Sequence, residues 1–286
     1  MTTDERQPGA AEGKEARLRD WLRAQGALAI GYSGGVDSAY LAAVAVGALG
    51  AERVLAIVGR SASYPESQWV AAREVAAGIG LRVLEIETGE LDDPRYAANP
   101  TNRCYFCKAD LWSLVVPAAR ARGIGVVADG TNADDLQGHR PGAQAAREHG
   151  VVSPLAMFDF SKIEIRERSR ALGLPTWQAP SSPCLSSRIP YGTPVTPGRL
   201  RRVERAESAL RALGVAGDLR VRHFGEVARV ELSQRELVRW SIPEMRGALV
   251  AAVTGAGYER VELDPRGYRS GALNEPARSG AALSGD

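Results

Sequence analysis

Residues 28–38, Leu-Ala-Ile-Gly-Tyr-Ser-Gly-Gly-Val-Asp-Ser, run from an apolar segment through a turn of glycines and hydroxyls into a helical pattern. Gly34 and Gly35 lack a Cβ, so the backbone can turn sharply and approach an anion. The first N–H groups of the following helix have no intrahelical partner and point into that turn. Ser33 and Ser38 add hydroxyl donors. A helix terminus alone contributes only about 0.3–1 kcal/mol toward an exposed anion, so a polyphosphate needs the whole nest of amides and hydroxyls together with a metal ion. Asp37 is the group to orient that ion, taken as magnesium. The turn has no lysine of the G-x-x-x-x-G-K-[ST] kind, which reaches β- and γ-phosphates, so terminal phosphoryl transfer is disfavoured.

Ser-Gly-Gly-x-Asp-Ser resembles the PP-loop of the ATP pyrophosphatases. Those enzymes hold the β- and γ-phosphates and cut between α and β, so the resemblance implies transfer of AMP to an oxygen that a nitrogen or sulfur nucleophile then displaces. A second loop, Asp129-Gly130-Thr-Asn-Ala-Asp134-Asp135 followed by Gly138-His-Arg140-Pro-Gly, comes after another strand-like run. In a doubly wound sheet it lies at the same edge as the first turn, where its carboxylates can bind magnesium and Arg140 a phosphate. It is similar to the corresponding loop of PP-loop enzymes, which adds Gly130 and Asp134 to the expected ATP site. Lys162, beside Ser161, reads equally as a catalytic-loop lysine or a surface charge at a helix start.

Three cysteines form the third constellation: Cys104-Tyr-Phe-Cys107 at the start of a helical pattern, and Cys184 far along the chain. Three thiolates brought together can ligate three irons of a [4Fe-4S] cluster and leave the fourth open for an exogenous ligand such as sulfide. Zinc competes, but a closed site wants four ligands and none of the three histidines has ligand-like spacing to a cysteine. A redox Cys-x-x-Cys pair and inert buried thiols are the other readings. Cys184 by itself reads as a nucleophile, its thiolate fraction raised by Arg188 four residues on. Tyr105, Phe106 and Trp112 suit either a stacking role or the core.

Pro183-Cys-Leu-Ser-Ser-Arg188-Ile-Pro-Tyr-Gly192 looks like the signature segment of the ATP-dependent sacrificial sulfur transferases, the LarE family. The likeness extends to Arg103-Cys-Tyr-Phe-Cys-Lys108, Arg220-Val-Arg222-His-Phe-Gly, Ala228-Arg-Val-Glu231 and Gly267-Tyr-Arg-Ser-Gly, and covers about residues 15–274. It implies that ATP adenylylates the carboxylate of a pyridinium mononucleotide. A cysteine at the position of Cys184 then attacks, and the thiocarboxylate serves nickel-pincer cofactor synthesis with other proteins of that route. One branch surrenders the sulfur of this cysteine and leaves dehydroalanine. Another resembles this chain in having two further cysteines and delivers sulfide from a cluster held by Cys104, Cys107 and Cys184. The resemblance also implies that Arg220 and Arg222 bind the substrate phosphate, that Glu231 supports catalysis, and that the protein is a homohexamer.

These residues need a frame to position them. Helices are expected at 14–25, 37–48, 65–78, 103–121 and 161–172, alternating with strands at 27–32, 53–59, 82–87 and 124–129; that alternation implies a doubly wound parallel α/β sheet, Rossmann-like, over 14–174. Prolines and serines crowd 175–198, read as a linker carrying Cys184. Helix 198–213, strands 218–223 and 227–233, helix 244–255 and strand 258–263 make a smaller α+β domain over 199–274. Residues 1–13 and 275–286 read as disordered tails.

The 286 residues are ample for a buried core, and 44% hydrophobic with 24% charged residues is ordinary for a globular protein. A net charge of +2 gives no basic stripe for nucleic acid. No apolar run approaches a bilayer span and the N-terminus is charged, so the expected location is the cytoplasm without a membrane. A tRNA thiolase, an amide-forming ligase, and a non-catalytic nucleotide-binding iron–sulfur or zinc scaffold are the competing functions.

Overall fold

The apolar alternation that marks strands also decides which helices cover which face of the sheet. In the computed structural model, which describes residues 10–137 and 141–269, β1 (Leu28–Gly31), β2 (Val54–Arg60), β3 (Arg82–Glu87) and β4 (Val127–Ala128) form a parallel sheet in the order β3-β2-β1-β4. Registers such as Ile30 against Ala56 and Ala29 against Val127 tie it together. Leu28 and Ile30 point to one face, where α1 (Ala10–Gln25), α2 (Val36–Leu49), α3 (Glu66–Gly78) and α8 (Lys162–Ala171) bury Leu18, Leu22, Leu41, Trp69 and Ile165. Ala29, Leu55 and Ile57 point to the other, under α5 (Arg103–Arg120) and α6 (Pro141–Glu148), where Trp112 and Val115 are buried. Burial of each such side chain contributes roughly 1.5–3 kcal/mol, which makes this three-layer core the main support of the fold. The short helices α4 (Pro94–Ala97) and α7 (Pro154–Met157) complete the unit.

Glycine is required at one turn and at one close contact. Gly34 has φ +69°, and a Cβ there would stand 2.4 Å from that of Ala72; at the end of β1 a Cβ on Gly31 would stand 2.3 Å from the Trp112 ring. The strand expected at 124–129 is only two residues long, because Gly123 and Gly125 interrupt its approach. Its ladder continues through an isolated parallel bridge between Ala128 and Val152. Helices α6 and α10 (Gln234–Trp240) were not expected from the sequence, being short and flanked by breakers. The N-terminal helix starts at Ala10, inside the stretch expected as a tail. Residues 1–9, Arg140 and the tail expected at 275–286 lie outside the described residues.

The chain divides into two units: Met1–Leu185 with Val195–Pro197, and Ser186–Pro194 with Gly198–Asp286. In the second, β5 (Leu219–Phe224) and β6 (Val227–Leu232) form an antiparallel hairpin around Gly225, at φ +64°, and β7 (Arg260–Leu263) pairs parallel to β6. Helices α9 (Pro197–Ala212), α10 and α11 (Pro243–Gly255) cover this mixed sheet, burying Leu210, Val221, Val230, Trp240 and Leu249. No helix among the described residues is long and apolar enough to cross a membrane.

Candidate functional site

The strand order reverses at β1, whose neighbours are β2 on one side and β4 on the other. Open parallel sheets bind ligands at such a point, outside the carboxyl ends of the strands. Both loops singled out in the sequence emerge there. The Ser33 backbone N–H donates to Ser38 Oγ at 3.3 Å, the two serine hydroxyls are 3.2 Å apart, and Ser38 Oγ donates to the Gly35 carbonyl. Tyr64 and Gln68 clamp the turn from outside by donating to the Ser33 carbonyl at 2.9 and 3.1 Å. The Gly130 loop lies so close behind that a Cβ on Gly130 would be 2.9 Å from the Ser38 backbone nitrogen. Glycine is required there by the close approach of two backbones.

Asp37, at the first turn of α2, is gripped from two sides. Asn132 Nδ2 donates to Oδ1 at 3.2 Å and the Lys162 ammonium pairs with Oδ2. Lys162 is set there by a capping box on α8: the Ser161 hydroxyl accepts from the Glu164 backbone N–H, and the Glu164 carboxylate accepts from the Ser161 N–H. The Lys162 backbone N–H in turn donates to Asp134 Oδ2 at 2.8 Å. The amine absent from the turn itself is therefore supplied from 125 residues away. The capping pattern Ser-x-x-Glu, legible in the sequence, is the signal that favours this role over a surface charge.

A cavity of about 310 Å³ runs from Ser33, Val58 and Tyr64 to Cys104, Cys107 and Cys184. Sequence-distant thiols thus open onto one space bordered by the glycine-serine turn. Cys104 and Cys107 project from the first turn of α5, while Cys184 is held by its neighbour: the Leu185 N–H donates to the Ser63 carbonyl at 2.8 Å. Ser182 Oγ adds a bond to Gln68 at 3.1 Å. Burial, reinforced by the charge of Glu90, pushes the Cys107 thiol well above the ordinary cysteine range, so it is protonated at neutral pH unless a cation displaces the proton. Three soft donors on one cavity suit an iron–sulfur cluster or zinc in type. Yet among the described residues no group of three or more His, Cys, Asp or Glu is gathered closely enough to hold a metal ion, at the thiols or around Asp37 and Asp134.

The aromatic residues near the thiols divide. Trp112 is core, 1% exposed. Tyr105 donates to Glu148 at 2.7 Å, and Phe106 carries the Arg95 guanidinium over its ring.

The remaining expected residues lie in the second unit. Arg188 is buried and forms a two-pronged pair with Glu207, both contacts at 2.9 Å, so its charge is committed to that carboxylate. On β5, Arg220 and Arg222 share one face while Val221 and His223 share the other. Arg222 bonds Glu231 at 2.8 Å and the Ser187 carbonyl at 2.8 Å; its Nε is buried without a hydrogen-bond partner among the described residues. Arg220 lies over the Tyr268 ring, its pKa depressed by burial and then by the charge of Arg188. Three buried guanidiniums against two carboxylates leave a local cationic excess, the electrostatic setting for an anion.

Fold and site together define a PP-loop α/β enzyme that handles ATP. The family model for NAD synthase matches residues 13–101, the segment containing the Ser33–Ser38 turn. An ammonia-dependent NAD(+) synthetase of Methanococcoides burtonii is 32% identical over 51% of this chain and 57% of its own. An uncharacterized protein of Synechocystis is 43% identical over 92% of this chain and 97% of its own. The pyridinium-3,5-bisthiocarboxylic acid mononucleotide synthase of Lactiplantibacillus plantarum is 31% identical over 91% of this chain and 92% of its own. The chain belongs to the family of that synthase, the LarE family.

Proposed function

We propose that this protein activates the carboxylate of a pyridinium mononucleotide with ATP and exchanges the activated oxygen for sulfur. A carboxylate is a poor electrophile; attack of its oxygen on the α-phosphorus breaks the α–β bond, releases pyrophosphate and leaves an acyl adenylate. The Ser33–Ser38 turn holds the β- and γ-phosphates through backbone N–H groups and hydroxyls, and Gly130, Asp134 and Arg140 complete the nucleotide site. Lys162 neutralises Asp37 beside the departing charge; Asp37 and Asp134 are the carboxylates that would orient a magnesium ion, which would supply further positive charge. On the sacrificial route the Cys184 thiolate attacks the acyl carbon; a C–S bond forms and the C–O bond to AMP breaks, and loss of the Cys184 α-proton then breaks its Cβ–S bond, leaving dehydroalanine and freeing the thiocarboxylate. Arg220 and Arg222 receive the substrate phosphate, Glu231 fixes Arg222, and Arg188 orders the segment after Cys184 through Glu207.

On the alternative route Cys104, Cys107 and Cys184 are the residues that would hold a [4Fe-4S] cluster, which would supply sulfide to the acyl carbon in place of the Cys184 thiolate. The thiocarboxylate passes to other proteins of nickel-pincer cofactor assembly, with the protein acting as a homo-oligomer in the cytoplasm. The observation that carries this reading is the shared cavity: Ser33, the first residue of the glycine-serine turn, and all three thiols border one space.

Pyrophosphate release from ATP, dependent on an added pyridinium carboxylate mononucleotide, tests it. Mass spectrometry after anaerobic turnover then separates the sulfur sources. Repeated product formation with intact protein supports cluster delivery, and a loss of about 34 Da at Cys184, one hydrogen sulfide, marks self-sacrifice. Pyrophosphate release indifferent to the pyridinium compound refutes the proposal.

A further inference from the structure

Glu90 has no part in the chemistry just described, yet it is the most unusual charged group in the first unit. It follows β3 in a one-turn 3₁₀ helix (Glu90–Asp92), is 2% exposed, and borders the cavity that holds Ser33 and Cys184. One carboxylate oxygen, Oε1, accepts from the hydroxyls of Ser61 and Ser63, the latter at 2.7 Å. The other, Oε2, is buried and accepts no hydrogen bond from any described residue. The two cationic side chains that line this cavity make contacts other than with Glu90: Arg103 Nη1 donates to Asn99 at 2.7 Å, and the Lys108 ammonium stands over the Trp112 ring.

A carboxylate removed from water costs several kcal/mol unless something pairs with it, and buried polar atoms are rarely orphaned without a reason. The two serine hydroxyls hold this carboxylate rigidly in one orientation, with one oxygen left over. We propose that Glu90 is a specificity residue whose uncommitted oxygen supplies the counter-charge for a cationic aromatic ring, the N-substituted pyridinium of the acceptor. This deepens the function proposed above and rests on it. A quaternary pyridinium nitrogen has no N–H, so it calls for a fixed negative charge rather than a hydrogen-bond acceptor. An uncharged aromatic carboxylate of the same shape gains nothing from Glu90 and leaves the carboxylate unpaired, which penalises the wrong substrate.

The test compares full-length wild type with Glu90→Gln, which keeps an oxygen for the serine hydroxyls and removes the charge, after thermal melting shows both folded. Calorimetric titration uses nicotinic acid mononucleotide and a phenyl analogue in which the charged ring is replaced by a neutral one. The expected result is about a tenfold loss of affinity for the pyridinium compound, with the phenyl analogue and ATP unchanged within about twofold. Pyrophosphate release should show the same rise in KM for the acceptor with little change in kcat. Equal losses for both rings, a loss confined to ATP, or no loss at all would each overturn the assignment, as would failure of wild type to bind the pyridinium compound. Charge-dependent binding without pyrophosphate release would remove the proposed reaction and leave the role of Glu90 standing; substrate-dependent release unaffected by the substitution would do the reverse.

Discussion

At the scale of single residues, the proposed nucleotide site depends on a charge relation that no local motif contains. Asp37 and Lys162 are paired, and the pair is aimed by Asn132 and Asp134. Lys162→Ala is expected to lower the rate of pyrophosphate release by about 10²–10³-fold, the usual effect of removing one pre-oriented charge at a reacting centre, with the melting temperature nearly unchanged. Gly130→Ala should instead act through structure: its methyl meets the backbone of Ser38, so nucleotide affinity and stability fall together, read by calorimetry and thermal melting. The thiols are predicted to differ in reactivity. Exposed Cys104 should be alkylated by iodoacetamide well before Cys107, whose thiol burial keeps protonated; peptide mass mapping over time reads the order. Ser33 to Ser38 and the three cysteines were legible in the sequence because their spacing and residue types carry a chemical demand. Glu90 was not, because its meaning lies in two serines nearly thirty positions away and in a missing partner, neither of which leaves a local pattern. Lys162 stood between these cases, its capping box visible and its target not.

At the scale of elements, β5 shows how one strand serves two ends. Its alternation sends Val221 and His223 into the core, His223 against Tyr258, and sends Arg220 and Arg222 to the opposite face, toward Glu231 on β6. Glu231→Gln breaks a pair whose side chains are 6% and 4% exposed and leaves Arg222 without its carboxylate, so chemical denaturation should show a loss of about 3–5 kcal/mol. On the core face His223 is buried against the Tyr258 hydroxyl at 3.1 Å, with its Nε2 unpartnered among the described residues. Burial, then the charges of Arg199 and Arg202, hold its pKa below the ordinary 6.5. The unfolded chain therefore binds a proton more readily than the folded one. Stability is full above the ordinary value and falls as pH drops through it toward the depressed folded value. Thermal melting between pH 7.5 and 5.5 should show this decline, and His223→Asn should flatten it. The long elements were readable from their periodicity, and α5 and β3 lie almost where the pattern puts them. The strand expected at 124–129 is present but short, Val127–Ala128 pairing with β1, and the bridge from Ala128 to Val152 beside it joins positions too far apart to leave a local pattern. Helix α10 escaped for a related reason: seven residues give too little periodicity, and its stability comes from Trp240 in the core with its indole N–H on Glu236.

At the scale of the whole molecule, two units each have their own hydrophobic core, and the division of labour follows it. The first offers a nucleotide turn and a thiol-lined cavity; the second offers a strand of buried arginines. Alternation of strands and helices made the first unit legible as a doubly wound sheet, whereas the partition around Cys184 depends on contacts such as Leu185 to Ser63 that proline content does not report. In the proposed function ATP binds only the folded first unit, so ATP at about 100 times its Kd is expected to raise the stability of that unit by about 2.7 kcal/mol, read by calorimetry. The central claim is that activation by ATP and delivery of sulfur are separate acts joined at Cys184. The most direct measurement is the yield of pyrophosphate and of thiocarboxylate from Cys184→Ser given ATP and a pyridinium carboxylate mononucleotide. The account predicts pyrophosphate release close to wild type with no thiocarboxylate formed; thiocarboxylate made at the wild-type yield without the Cys184 thiol would contradict it.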